Sequence, residues 1–341
     1  MRKLNKILVT GGCGFIGWNF IRHVMSKERF QITNIDKLTY ASKKNLIGSK
    51  NSKRYKFYKK DINSKKNISK IFSKNNIDAV VHFAAETHVD NSINSPEIFI
   101  KTNVIGTYNL LNESLKYIKK NKKKNFIFIH ISTDEVFGHL KKKDKPFSEK
   151  TKYSPRNPYS ASKAAADHLV RSYISTYNFP AIILNCCNNY GPFQNDEKFI
   201  PKILTNILKK KEIPIYGKGK NIREWIFVND FARAILLILK KGKIGENYNV
   251  GSGKELTNIN LALLLCEVMD KKLKLKEKSK KLISFVKDRA GHDFRYAINS
   301  NKIRNQLKWK PTTPIKEGLE KTINYCINKA QNKTTFVYKK H

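Results

Sequence analysis

The 341-residue chain has no run of about eighteen apolar residues, the length a membrane-crossing helix needs. It has only five cysteines, at 13, 186, 187, 266 and 326, and no Cys-x-x-Cys pair. That excludes a disulfide scaffold, and no His cluster has zinc-ligand spacing, so no metal is expected. The N-terminus passes almost at once into an apolar strand with no leader-like segment, so a cytoplasmic protein is expected. No internal repeat is visible. Acidic residues are scarce, 27 against 68 basic ones, for a net charge of +41. Such a balance usually points to nucleic acid. Here, however, 57 of the basic residues are Lys, only 11 are Arg, and they are spread along the whole chain. A dedicated nucleic-acid face carries more Arg and concentrates it. The abundance of Lys, Asn and Ile instead fits an AT-rich genome. No specific nucleic-acid partner and no membrane partner are expected, although loose polyanion binding at low salt is.

The length suits two domains. Apolar strands and helices alternate through the first half, which predicts a parallel sheet with helices on both faces. Strands are expected at 5–10, 30–36, 55–61, 78–85, 126–131 and 181–185. Helices are expected up to Met25, from Pro96 to about Lys119, and from Pro158 to Tyr177. After Tyr190-Gly191-Pro192 the pattern changes. Short strands at 213–216, 248–250 and 282–285 mix with helices near 199–210, 229–241, 257–269 and 313–329. The predicted fold is α/β, a Rossmann doubly wound parallel sheet with a smaller mixed α/β C-terminal substrate domain. The boundaries are 1–187 for the dinucleotide-binding domain, with helix 229–241 packing back on it, 188–330 for the second domain, and 331–341 for a loose tail.

Two stretches carry chemistry. The first is Gly11-Gly12-Cys13-Gly14-Phe15-Ile16-Gly17, between a strand and a helix. Gly11, Gly14 and Gly17 let the backbone approach a pyrophosphate at the positive helix N-terminus. Asp36 closes the next strand nineteen residues after Gly17. A carboxylate there accepts from a ribose diol and repels a 2′-phosphate, which favours NAD over NADP. Asp61-Ile62 ends the third strand, where an adenine would lie.

The second runs from Ile131 to Lys163 and holds Thr133-Asp134-Glu135 and then Pro158-Tyr159-Ser160-Ala161-Ser162-Lys163. Tyr159 and Lys163 stand four apart on one helix face. An ammonium there would favour a Tyr159 phenolate, and so a base. A hydroxyl and two adjacent carboxyls complete the set.

These two motifs in this order resemble the extended short-chain dehydrogenase/reductases, over nearly the whole chain. The runs Asp36–Ala41, Ala84–Asp90, Ser132–Val136, Asn188–Pro192, Glu197–Pro201 and Asp288–Asp293 look closer still to the dTDP-glucose 4,6-dehydratases. The resemblance implies that Thr133, Tyr159 and Lys163 serve oxidation at the sugar C4. Asp134 then acts as acid and Glu135 as base in the loss of water across C5 and C6. It implies cofactor contacts from Phe15, Ile16, Asp36, Lys37, Thr39, Asp61, Ile62, Ala84, Ala85, Thr87, Thr102, Tyr159, Lys163 and Asn189. It implies substrate contacts from Thr87, Thr133, Asn188, Lys198, Phe199, Pro214, Tyr216, Arg223, Asn249, Arg289 and His292. Arg223 and Arg289 suit diphosphate clamping, because a guanidinium pairs bidentately with phosphate oxygens. A nucleoside-diphosphate glucose substrate and a homodimer follow, the dimer through the Pro96 and Tyr159 helices. Asn91, Phe137 and Ala290 depart from common family residues at Arg, Tyr and Pro. A UDP-glucose 4,6-dehydratase, another nucleotide-sugar epimerase or decarboxylase, and a non-catalytic polyanion binder on the same scaffold stay open as rivals. Asp134-Glu135 speaks against the epimerase, and the intact catalytic set speaks against the binder.

Overall fold

The protein is described from a computed structural model, which covers residues 2–39, 42 and 53–331. The strands in chain order are β1 (Lys6–Thr10), β2 (Gln31–Asp36), β3 (Tyr55–Lys59), β4 (Ala79–His82), β5 (Ile127–Thr133), β6 (Ala181–Cys186), β7 (Asn188–Tyr190), β8 (Ile213–Tyr216), β9 (Ile222–Phe227), β10 (Asn247–Val250), β11 (Glu255–Thr257), β12 (Ile283–Val286) and β13 (Arg295–Tyr296). The main helices are α1 (Phe15–Lys27), α2 (Lys65–Asn75), α3 (Val89–Asn94), α4 (Pro96–Phe99), α5 (Gly106–Asn121), α6 (Pro158–Tyr177), α7 (Phe199–Leu208), α8 (Val228–Lys241), α9 (Asn258–Leu273), α10 (Asn301–Leu307) and α11 (Ile315–Ala330).

Seven strands form one wholly parallel sheet, in the order β10-β6-β5-β4-β1-β2-β3. Strand side chains alternate between faces, so Ile7 and Val9 enter one core and Leu8 the other. The first core also takes Phe20, Ile21 and Val24 of α1 and Phe231, Ile235 and Leu239 of α8. The second takes Ile68 and Ile71 of α2, Leu110 and Leu111 of α5 and Val170 of α6. Burial on both faces explains why these strands read as continuous apolar runs. The chain leaves β1 toward β2 and β3 on one side and later fills β4, β5 and β6 on the other. The reversal between β1 and β4 opens a crevice at the carboxyl ends of the strands, the place where doubly wound sheets hold ligands.

A third core lies between α7, α9 and α11, with Ile200, Leu204, Leu261, Leu265, Leu319 and Ile323 at its centre. Beside it are a small sheet in the order β11-β9-β13, with β7 paired to β9, and the pair β12-β8.

Two expectations need correction. The strand expected at 248–250 among the C-terminal elements is β10, which pairs in parallel with β6 and extends the large sheet. Its segment is too short for its pattern to show which sheet it joins. The helix expected without interruption from Pro96 is broken into α4, a π-helical segment Ile100–Ile105, and α5. The wider π turn carries the buried side chains of Thr102 and Asn103. Asn103 there accepts from the Glu86 N–H at 2.8 Å, and its amide donates to Ser162 Oγ at 2.9 Å. Such insertions mark functional positions in helices. From residue 332 the expected loose tail lies outside the described residues.

Candidate active site

The glycine turn is built on close approach. A Cβ on Gly17 would stand 2.5 Å from the Gly11 carbonyl oxygen, and one on Gly11, whose φ is +69°, would stand 2.6 Å from the Ala84 backbone. Helix α1 therefore packs hard against the turn, with Gly14 at its N-cap and no side-chain cap. Asp36 anchors the turn from β2. Its Oδ2 accepts the Cys13 N–H at 3.0 Å, and its Oδ1 accepts the Leu38 N–H at 2.8 Å and the Ser42 hydroxyl at 3.1 Å.

Beside this turn opens a cavity of about 320 Å³. Every position assigned to the cofactor lines it: Gly11, Gly14, Phe15, Ile16, Gly17, Asp36, Lys37, Thr39, Asp61, Ile62, Ala84, Ala85, Thr87, Thr102, Tyr159, Lys163 and Asn189. Thr133, Asp134, Glu135, Asn188 and Lys198 line the same wall. Residues from Gly11 to Lys198 thus close on one cleft because β1, β4, β5 and β6 are neighbours in the sheet.

At the end of β5, Thr133 caps a 3₁₀ turn, Asp134–Phe137, by accepting the Glu135 N–H at 3.3 Å. The Thr133 hydroxyl donates to Asp134 Oδ1, also at 3.3 Å. Across the cleft Asn157 caps α6 in a capping box with Ser160, and Pro158 takes the first helical position. That start aims Tyr159 and Lys163 inward, and both are buried. The Lys163 ammonium donates to the Ile131 carbonyl at 2.7 Å, which ties α6 to β5.

Electrostatics separate the two carboxyls. Burial raises both. Asp134 is pushed well above the ordinary carboxylate value, because Glu135 and Glu224 add to burial while only Arg223 and the Thr133 hydroxyl oppose it. Glu135 is raised by burial but held back by Arg223, Lys198, Arg289 and Asn157. Asp134 is thus the natural proton donor and Glu135 the acceptor. For Tyr159 the expectation of a phenol lowered by Lys163 is corrected. Burial, Glu135, Cys186 and Asp134 push the phenol well above its ordinary value, and the Thr133 hydroxyl opposes them.

Several residues expected at the substrate do not line the cavity. Asn249 is fully buried in β10, where its amide donates to the Phe147 carbonyl at 2.9 Å and its N–H donates to Glu149 at 3.0 Å. Its expected substrate contact is therefore a scaffold contact in this structure. Arg223 is buried in β9, directing its guanidinium to the carbonyls of Ile222 and Asp293 and lying over the Tyr296 ring. It reaches the cleft only as charge. Phe199 stacks on Trp225. Pro214 lies half-buried on β8, and Tyr216, Arg289 and His292 cluster beside Asp90 and Asp288. Sequence reasoning did not anticipate Ser42, Cys186, Cys187 and Glu197 on the cavity wall, nor Glu224 and Asn157 behind the carboxyls. Only Asn157, an Asn directly before a Pro-started helix, carried a readable signal.

The family model described as GDP-mannose 4,6 dehydratase matches residues 8–322. A dTDP-glucose 4,6-dehydratase of Shigella flexneri is 45% identical over 334 residues, covering 94% of this chain and 92% of that protein. The chain belongs to the dTDP-glucose 4,6-dehydratase family. Among solved structures, the dehydratase DesIV of Streptomyces venezuelae, crystallised with NAD and TYD, superposes with a TM-score of 0.87 at 36% identity, over 96% of this chain and 98% of that one. A UDP-glucose 4-epimerase of Thermotoga maritima, solved with UDP-glucose, has a TM-score of 0.84 at 26% identity, over 95% and 99%. The dehydratase and epimerase folds are therefore shared, and the chemistry must be argued from the site. The cavity fits a dinucleotide. Its glycines leave no Cβ where the backbone must be approached. Thr102 Oγ1 and Asn189 Oδ1, both on its wall, are buried polar atoms with no hydrogen-bond partner among the described residues.

Proposed function

We propose that this protein catalyses the NAD-dependent dehydration of dTDP-glucose to dTDP-4-keto-6-deoxyglucose, a hydro-lyase reaction. The observation that carries this reading is the pair Asp134 and Glu135, adjacent in one cleft but in unlike charge environments, beside Thr133, Tyr159 and Lys163. A 4,6-elimination needs an acid and a base acting on neighbouring carbons, and this pair supplies them.

The Gly11–Gly17 turn would hold the pyrophosphate, and Asp36 the adenosine ribose. Bound NAD would supply hydride-transfer chemistry at the sugar and a cationic ring that favours the Tyr159 phenolate. Tyr159 takes the proton of the C4 hydroxyl as that carbon is oxidised. Thr133 hydrogen-bonds the same oxygen, and Lys163 fixes the floor of the site through Ile131. The C4 ketone acidifies C5, whose proton goes to Glu135. Asp134 protonates the C6 hydroxyl, which leaves as water. Glu135 returns its proton to C5, and the overall change, loss of one water, is redox-neutral.

The chain divides at 187/188, with α8 and β10 returning to the first domain. Five free cysteines suit a reducing compartment, so the enzyme is placed in the cytoplasm, where its product enters deoxysugar biosynthesis such as that of rhamnose. No helix among the described residues is long and apolar enough to cross a membrane. Exposed Ile98 on α4 and Ile100 and Ile105 on the π-helical segment support a homodimer. The reading is tested by incubating the protein with dTDP-glucose and separately with UDP-glucose, with mass analysis of the sugar nucleotide. Loss of one water from dTDP-glucose is expected. No loss from either sugar would overturn the assignment.

A further inference from the structure

The guanidinium of Arg289 is fixed along one edge and over one face. Its Nε lies 2.5 Å from Asp90 Oδ1, and its Nη2 donates to Asp90 Oδ2 at 2.9 Å. Its Cζ sits 5.1 Å from the centre of the Tyr216 ring. The Tyr216 hydroxyl reaches back to the same Asp90 oxygen at 3.5 Å. The three residues come from separate elements: Asp90 from the first turn of α3, Tyr216 from the end of β8, and Arg289 from the segment between β12 and β13. A second link runs alongside, where the Lys198 ammonium donates to the Thr87 carbonyl at 3.0 Å.

Arginine has five N–H donors in a planar fork. Asp90 accepts one Nη2 N–H and sets its other oxygen against Nε, which itself makes no hydrogen bond among the described residues. The Nη1–Nη2 edge stays open, and Nη1 has no hydrogen-bond partner among the described residues. That free edge matches two oxygens of a phosphate group. A guanidinium already held along one edge and over one ring has little rotamer freedom left to lose when an anion arrives. Asp90 also carries a negative charge, which by itself would repel a phosphate. The pair is part-exposed, 24% for Arg289 and 32% for Asp90, so solvent damps that repulsion.

We propose that Asp90, assisted by the Tyr216 ring, is a positioning residue that presents the open edge of Arg289 to the diphosphate of the substrate. The proposal rests on the dehydratase reading above. It assigns a role to a carboxylate of the first domain that the reaction chemistry does not use.

The test uses the full chain with four forms: wild type, Asp90→Asn, Arg289→Ala and the double variant. KM and kcat for dTDP-glucose are measured, together with calorimetric affinity for dTDP and for dTMP. NAD content and melting temperature report folding. Loss of a charge-assisted contact should raise KM and weaken dTDP binding about tenfold in Asp90→Asn, with kcat and dTMP affinity changing by less than about twofold. In the Arg289→Ala background the Asp90 change should add nothing. A lower KM in Asp90→Asn would overturn the proposal, since Asp90 would then be competing with the phosphate. An equal effect with Arg289 absent would also overturn it, since Asp90 would then act by another route. An Arg289→Ala variant with unchanged dTDP affinity would remove its premise and so refute it. A wild type inactive on dTDP-glucose would instead refute the dehydratase reading, so the two failures are distinguishable.

Discussion

Asp134 and Glu135 share a peptide bond but not an electrostatic environment. Asp134 is buried against the carboxylates of Glu135 and Glu224, whereas Glu135, half-buried, faces the cations of Lys198 and Arg289 as well as the Arg223 that both share. Turnover should therefore be bell-shaped in pH. Glu135 must be ionised, so activity falls on the acid side as it takes a proton. Asp134 must be protonated, so activity falls on the alkaline side as pH passes its raised value. Glu224→Gln removes one of the charges holding Asp134 protonated, and should move the alkaline limb to lower pH and leave the acid limb nearly in place. A pH profile of kcat/KM checks this.

The same raised carboxyl costs stability. Native Asp134 holds its proton above 3.8, where the unfolded residue has lost it, so its contribution to stability declines as pH rises past 3.8. Asp134→Asn should melt at a higher temperature than wild type at neutral pH while losing activity, a trade common at catalytic positions. Calorimetric scans at several pH values would show whether the gain vanishes on acidification, as this account requires.

Oxidation and elimination should be separable. Tyr159→Phe removes the C4 base, so mixing with dTDP-glucose should produce no reduced-nicotinamide absorbance. Asp134→Asn with Glu135→Gln keeps size and removes acid and base, so reduced cofactor should accumulate while product formation falls by ~10²-fold or more. Product formed at the wild-type rate by the double variant would show that these carboxyls do not carry the elimination.

Gly17→Ala places a methyl 2.5 Å from the Gly11 carbonyl and 2.9 Å from Gly12 Cα, both backbone atoms that cannot swing away. The turn must shift. The expected cost is ~1–3 kcal/mol of stability together with loss of tightly held NAD. Thermal unfolding and cofactor content after purification measure both.

Acid should unfold the protein partly through His82 and His130. Both are fully buried, and burial, the leading cause, lowers both pKa values from 6.5. The unfolded imidazoles take up protons below 6.5, where the native ones resist. The stability they contribute is present above 6.5 and is lost as pH falls, by about 1.4 kcal/mol per pH unit for each proton. His82→Gln should flatten that slope in denaturant titrations.

Much of the site was legible in the chain before folding. Gly11, Gly14, Gly17 and Asp36 announce a dinucleotide because a turn that must meet a pyrophosphate admits no side chain, and a ribose diol needs a local acceptor. Thr133, Asp134, Glu135, Tyr159 and Lys163 are close in sequence, and their spacing on a strand end and one helix face is set by local geometry. What needed the tertiary structure was non-local. The Tyr159 phenol is raised first by burial and then by Glu135 and Cys186, which come from other elements. The acid and base are told apart by Glu224, Lys198 and Arg289, between about 60 and 160 residues downstream. Strand β10 joins the large sheet by backbone pairing, to which its own residues give no pointer, and this takes Asn249 away from the cavity. Local sequence sets dihedral preference and periodicity, so it specified the elements and the groups they carry. Charge acts through space, so which group holds its proton was decided only when distant strands were packed against one another.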